Sequence, residues 1–381
     1  MHRALFSRQD PAANDSAPTT PMRILLDDII FSLQRAGGIS SYWCELANGL
    51  EARGHELLCI EAGKSTENLF RKQRSGIATT FQREHLPWRL ARYMPCPVKG
   101  LTASIFHSSY YRTPSRRIAP VVQTVHDFTY ERYWTGLART VHVLQKRRAL
   151  RDADAIICVS ESTRRDLEVY CPGIDPDRVH VIHHGCSPLF RRIEDPSDAA
   201  NLRALIGDAP YVLYVGTRCA YKNFPTAVET AAHSGQHRLV LVGGGPLTRA
   251  EAQLLEAMLP NRWRHEQGPS PEFLNGLYNL ADALLYPSSY EGFGMPVLEA
   301  MAAGCPVIAV AASSIPEVAG EAALMIPTAD WNLMLGALKS LGSVSLRHDI
   351  VRKGLENVRR FSWQDCVRKT ETVYRQLAGT R

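Results

Sequence analysis

Two glutamates eight residues apart, Glu291 and Glu299, lie in the stretch SSYEGFGMPVLEAMAAG on either side of a Gly-Phe-Gly turn. Pro296 marks the first position of a helix, where a missing N–H costs nothing. Glu291 then falls in the loop after a strand's carboxyl end and Glu299 in the first helical turn, so both can face one crevice. The amides of Gly292, Phe293, Gly294 and Met295 stand at that helix start, where unpaired N–H groups attract anions. Carboxylates beside them can accept hydrogen bonds from sugar hydroxyls. The pattern suits a phosphorylated sugar, and its plain alternative is two glutamates that cap or solvate a helix.

A second constellation is GTRCAYKN, residues 216–223, directly after the apolar run YVLYV. Gly216 permits a tight turn, and Arg218 and Lys222 are then offered where α/β sheets bind ligands. Two fixed cations suit a diphosphate and would stabilise its developing charge without a metal ion; a surface pair at a helix start is the alternative. In QRAGGISSYWCEL, Gly37 and Gly38 precede a helix and allow close backbone approach to a phosphate or sugar. The full G-x-G-x-x-G is missing, so this is no dinucleotide fingerprint, and a simple helix-start turn also fits. GGGP at 243–246 shapes a base pocket or merely turns the chain. His126 and Asp127 close the run VVQTVHD, at the strand end where active-site groups collect; a structural histidine is the competing reading. Asp27 and Asp28 end the first strand without partners at metal-ligand spacing and read as caps. No metal site is expected, and neither a G-x-S-x-G nor a P-loop occurs.

These residues need strand ends to hold them. Apolar runs alternate with helical patterns along most of the chain, which predicts βαβ units and doubly wound parallel sheets. RILLDDI, HELLCIEA, SIFHSS, PVVQTVHD, AIICVS and VHVIHHG supply strands of a first domain, with helices at ISSYWCELANGLEARG, from Gly136 to Asp152 and from Glu161. PYVLYVG, RLVLVGG, ALLYPS and PVIAVA supply a second. The Pro- and charge-rich HHGCSPLFRRIEDPSD reads as the linker. The expected division is a disordered extension over 1–21, a domain over 22–188, another over 189–360, and a last amphipathic helix over 361–381, N-capped by Ser362, that crosses back to the first domain.

The 381 residues suit two domains, and 45% hydrophobic with 22% charged residues describes a globular chain. No apolar run is long enough to span a bilayer. Nine cysteines without a C-x-x-C pair point to a reducing cytoplasm. Residues 64–120 hold eleven Lys or Arg against two Glu, followed by Lys146, Arg147, Arg148 and Arg151 on a helical pattern. Trp88, Leu90, Tyr93 and Met94 interleave with Arg89 and Arg92, a combination that sits on anionic lipid or forms a solvated face. Nucleic acid is excluded as a partner, since no recognition motif accompanies the charge.

GGIS, GTRCAYKN and EGFGMPVLE, in that order along the chain, resemble family 4 of the retaining glycosyltransferases. The resemblance implies the GT-B fold, two Rossmann-like domains facing each other across a cleft. It implies that Glu299 holds the nucleotide ribose, that Glu291 lies near the donor sugar's hydroxyls, and that Arg218 and Lys222 grip the diphosphate of a GDP-sugar or UDP-sugar. The amides of Gly292 to Met295 would serve sugar and phosphate, Gly38 would approach the phosphate from the first domain, and His126 would contact the transferred sugar. The leaving phosphate would help deprotonate the acceptor on the same face, so no cofactor and no enzyme nucleophile are implied. SIFHSSYY, TVHDFTYERYW and AIICVSEST are similar to bacterial members that build O-antigen and other surface polysaccharides with mannose-type donors. Arg112, Tyr130 and Tyr133 are the acceptor candidates, and a lipid-linked glycan at the inner leaflet would account for the basic first domain. The alternatives are a nucleotide-sugar epimerase of the same fold and a non-catalytic sugar-nucleotide-binding partner.

Overall fold

The computed structural model describes residues 20–62, 67–74 and 79–379. The proposed disordered extension therefore lies almost wholly outside the described residues. Seven strands form the first sheet: β1 (Arg23–Asp27), β2 (Glu56–Ala62), β3 (Thr79–Glu84), β4 (Ile105–Ser108), β5 (Val121–Val125), β6 (Ala155–Cys158) and β7 (Val179–Val181), in the order β3-β2-β1-β4-β5-β6-β7. Six form the second: β8 (Tyr211–Val215), β9 (Arg238–Val242), β10 (Trp263–Glu266), β11 (Ala283–Tyr286), β12 (Val307–Val310) and β13 (Leu324–Ile326), in the order β10-β9-β8-β11-β12-β13. Neighbouring strands pair in parallel throughout. Both sheets reverse direction of growth beside their first strand, and it is outside such switch points that parallel sheets bind ligands.

Central strands such as β5 and β12 are wholly buried, as helices on both faces require. Three strands escaped the sequence reading: β3, β10 and β13. All are edges, and β3 (TTFQRE) and β10 (WRHE) carry no continuous apolar run.

The terminal helix Trp363–Gly379 packs on helix Gly38–Ala52 of the first half, its Val367 and Tyr374 joining the first core. Ser362 accepts from the Asp365 amide at 3.2 Å, the expected N-cap. The chain's two passages between halves lie side by side: Cys186 N–H donates to Phe361 O at 3.1 Å, and a β-carbon at Gly185 would sit 2.2 Å from Trp363 N. Only glycine lets the strands of this double crossing touch.

Two surface expectations fail inside the first half. Asp27 and Asp28 are not caps: both are fully buried, Asp27 with Arg112 at 2.9 Å and Asp28 with Arg74 at 2.7 Å. Lys146 leaves the basic face of helix Gly136–Asp152 and points inward, to Glu131 at 3.2 Å and the Asp127 carbonyl at 2.6 Å. A buried charge needs such partners, and the sequence pattern of a basic run cannot reveal them.

Candidate active site

The loop Tyr290–Met295 lies where the second half meets the first. Helix Met295–Ala302 starts one residue earlier than Pro296 predicts, with Gly294 as a left-handed N-cap at φ 108°, so Glu299 falls in the second turn. Gly292 is pressed against the first half: a β-carbon there would stand 1.7 Å from His126 O and 3.1 Å from Asp127 Cβ. Its carbonyl accepts from Ser160 Oγ at 2.7 Å and Thr163 Oγ1 at 3.1 Å, both at the start of helix Glu161–Tyr170. Tyr290 completes the junction, accepting from Phe128 N–H at 2.7 Å and donating to Asp166 Oδ2 at 2.7 Å. Glu317 adds a third strap, accepting from Glu161 N–H at 2.9 Å and pairing with His183 at 2.6 Å. Nothing local in the sequence marks Glu317, Ser160 or Asp166 for this work, because each partner is more than a hundred residues away.

The straps leave the loop's donors free. Among the described residues no acceptor is assigned to the amides of Gly292, Phe293, Gly294 or Met295, although Glu291 N–H donates to Ser313 Oγ at 2.7 Å and the Glu291 and Phe293 carbonyls accept from Ser314 Oγ. Four consecutive amides at a helix start form an anion site. Lys222 Nζ lies beside them in an ion pair with Glu291. The segment carrying Lys222 runs from Gly216, at φ 137°, to a short helical turn over Ala220–Lys222. Half-buried and close to the loop, this pair is placed to exchange its carboxylate for a phosphate.

Glu299 accepts from Tyr278 O–H at 3.0 Å. Burial pushes its pKa up to about 7, against the smaller opposing effect of that hydrogen bond. Its carboxylate therefore gains by taking hydroxyl donors from a ligand. His126 stacks on His184 at 5.6 Å and meets Tyr42 edge-on at 5.1 Å. Burial lowers its pKa to about 4, so it stands at the cleft as a neutral imidazole. Gly37 caps helix Gly38–Ala52 in extended conformation, and a β-carbon at Gly38 would meet open space, leaving that helix start accessible.

The three acceptor candidates separate. Arg112 is 1% exposed and spends its guanidinium on Asp27 and Glu84, each at 2.9 Å, so it is part of the core and not an acceptor contact. Tyr133 is exposed and stacks at 4.8 Å on Tyr221, next to Lys222. Tyr130 stacks on His142 at 3.9 Å and Trp134 at 5.2 Å. Arg218 departs from the two-cation picture: its side chain is only 4% exposed and it holds the carbonyls of residues 243–246. Among the described residues no group of three or more His, Cys, Asp or Glu is placed to hold a metal ion.

This arrangement has counterparts. Residues 36–188 match the family model described as Glycosyltransferase Family 4, and residues 202–355 match Glycosyl transferases group 1. The chain is 26% identical to the D-inositol 3-phosphate glycosyltransferase of Acidothermus cellulolyticus, over 97% of this chain and 94% of that one. It is 29% identical to the O-antigen chain mannosyltransferase B of Escherichia coli, over 72% of this chain and 74% of the relative. Among solved structures, Anabaena HepE in complex with UDP-glucose superposes with a TM-score of 0.70 at 16% identity, over 94% of this chain and 99% of that one. Two parallel α/β domains, the cleft between them and the paired family matches together make this chain a glycosyltransferase of GT-B fold, related to the family 4 enzymes.

Proposed function

We propose that the chain transfers a mannose-type hexose, with retention, from a GDP-sugar or UDP-sugar to a hydroxyl of a lipid-linked or polysaccharide acceptor at the inner face of a membrane. The observation that carries this reading is the row of free amides at Gly292–Met295 beside Lys222, flanked by Glu291 and Glu299. The diphosphate takes the amides and Lys222, Glu299 takes the ribose hydroxyls, and Glu291, released from Lys222, takes hydroxyls of the sugar. As the glycosidic bond breaks, Lys222 and the amides stabilise the charge growing on the leaving phosphate. That phosphate accepts the acceptor's proton on the same face, so the site needs no general base and no nucleophile. Neutral His126 is a hydrogen-bonding contact for the sugar, and Gly38 brings the first half's helix start to the phosphate. Tyr133 and Tyr130 border the acceptor side.

Support for the mannose-type donor and the surface-glycan acceptor comes from the E. coli relative's own assignment to O-antigen mannosyl transfer. Support for the membrane comes from the first half's surface. Leu137, Val141 and Leu144 form an exposed stripe on helix Gly136–Asp152, the first and last at 79% and 61%, with exposed Arg148 one further turn along. Arg92, Tyr93, Met94 and Leu90 adjoin it, since Gln145 of that helix donates to the Arg92 carbonyl. Apolar side chains among arginines match an anionic interface. Among the described residues no helix is long and apolar enough to cross a membrane.

The test is product analysis. Purified protein, GDP-mannose or UDP-glucose and a lipid-linked glycan should release nucleoside diphosphate and give an α-linked product by NMR, undiminished by EDTA. A β-linked product contradicts retention, and activity lost to EDTA and restored by Mg²⁺ contradicts the metal-free reading.

A further inference from the structure

Arg218 lies in the segment where a phosphate-binding cation was expected, yet its two terminal nitrogens are turned onto backbone. Nη1 donates to Gly243 O at 3.0 Å, and Nη2 approaches the carbonyls of Gly244 at 3.1 Å, Gly245 at 2.9 Å and Pro246 at 2.9 Å. Nε lies 3.0 Å from Glu251 Oε1 on helix Arg249–Met258. Burial raises the Glu251 carboxyl's pKa, but hydrogen bonds from Thr248 and the adjacent Arg218 charge outweigh this and hold it below the usual range. From the other side, His265 Nε2 lies 2.9 Å from Gly243 O and Gly243 N–H donates to Glu266 O at 2.8 Å. The turn at the carboxyl end of β9 is thus clamped by Arg218 on one side and by β10 on the other, with Glu251 beside the guanidinium.

The backbone shows what the clamp achieves. Gly243, Gly244 and Gly245 all lie at positive φ, 82°, 75° and 70°, a run that side-chain-bearing residues resist. A β-carbon at Gly244 would meet Arg218 Nη1 at 2.3 Å. In a trans peptide the C=O and the following N–H point in opposite directions. Turning the carbonyls of Gly243 and Gly244 onto Arg218 therefore turns the amides of Gly244 and Gly245 away from it. Neither amide has an assigned acceptor among the described residues, and Pro246 has no N–H to follow them. Successive free amides of this kind bind anions.

We infer that Arg218 serves the donor site as a positioning residue: it fastens the carbonyl face of the 243–246 turn and so presents the Gly244 and Gly245 amides to a phosphate oxygen of the nucleoside diphosphate. Lys222 is then the cation that meets the phosphate directly. This assignment rests on the nucleotide-sugar reading above and changes the part Arg218 plays in it.

Calorimetric titration of the full chain with GDP and with UDP separates the two roles through the sign of one variant. Glu251 opposes the Arg218 charge and tethers the guanidinium to the turn. If Arg218 only positions the turn, Glu251→Gln leaves nucleotide affinity unchanged or lowers it a few-fold. If Arg218 bound phosphate itself, Glu251→Gln would free it from a competing carboxylate and tighten binding, which overturns the inference. Arg218→Lys keeps the charge but cannot serve four carbonyls with a planar fork. It should weaken binding about tenfold or more, the equivalent of one or two amide hydrogen bonds, and near-wild-type affinity in this variant also overturns it. Gly245→Ala, with open space for its methyl group but a φ of 70°, should weaken binding with Arg218 intact; wild-type affinity there counts against the amides. Wild-type protein that binds neither nucleotide defeats the donor reading itself, whereas wild-type binding with a tighter Glu251→Gln defeats only the role given to Arg218.

Discussion

Two sets of charges, one in each half, use the same residue types for opposite ends. Arg112 sits between Asp27 and Glu84 with no access to solvent, and Lys146 sits likewise with Glu131. Lys222 and Glu291 form an equally close pair but keep part of their surface in the cleft, beside four free amides. The buried sets cannot exchange partners without stranding a charge, so they act as struts. The cleft pair loses little when a phosphate replaces the carboxylate, so it acts as a site. Burial, more than residue identity, decides which cations of this basic chain are available for chemistry.

The sharpest break of that comparison is Arg112→Ala. It strands two buried carboxylates and should cost about 3–5 kcal/mol of stability, the usual penalty for halving a buried ion pair. Chemical denaturation measures it, and a near-wild-type midpoint would return Arg112 to the surface role first expected of it. Lys222→Ala should do the reverse, folding normally while turnover falls roughly 10²–10³-fold, the scale seen when one transition-state electrostatic contact is removed. Loss of stability instead of turnover would erase the distinction between strut and site.

Gly292→Ala tests the junction. Its methyl group would overlap the His126 carbonyl, forcing the loop off the first half. Turnover should fall about tenfold or more while thermal stability of each half changes little, since misplacing a catalytic loop by about 1 Å is that costly. Unchanged turnover would show that the halves need not meet here.

The smallest effect is the pH dependence at Glu299. Its folded pKa of about 7 exceeds the usual 4.5, so the folded state binds a proton more tightly than the unfolded chain. That contribution is fully present below pH 4.5 and fades as pH rises through 7. Glu299→Gln should therefore be more stable than wild type at pH 8, by roughly 1–2 kcal/mol after allowing for partial exposure, and lose the advantage near pH 5. The same variant should raise the donor KM by removing a ribose contact. A stability difference that ignores pH would show that Glu299 is already ionised.

What was legible in the sequence follows the same division. Glu291, Glu299 and the 292–295 amides share one short stretch after β11, so local spacing was enough to group them, whereas Lys222, 69 residues from Glu291, was legible only through its own place just after β8. The central strands were legible for a related reason: burial on both faces writes a continuous apolar run, as in VVQTV and VIAV. The edges β3 and β10 wrote no such signal, and β13 is only three residues long. The struts were invisible because a charge that turns inward to its partner, 85 residues away for Asp27 and Arg112 and 15 for Glu131 and Lys146, writes the same local pattern as one that faces solvent. An arginine next to a candidate phosphate site, such as Arg218, looks alike in sequence whether it faces ligand or backbone.

The most direct test of the cleft as a donor site is the melting temperature of wild-type protein and of Lys222→Ala with GDP or UDP present in excess and EDTA throughout. A ligand that binds only the folded state must raise its stability. The account predicts that one of the two nucleotides raises the wild-type midpoint by several degrees, and that Lys222→Ala loses most of that rise. Absence of a rise with either nucleotide, or an equal rise in the variant, would contradict it.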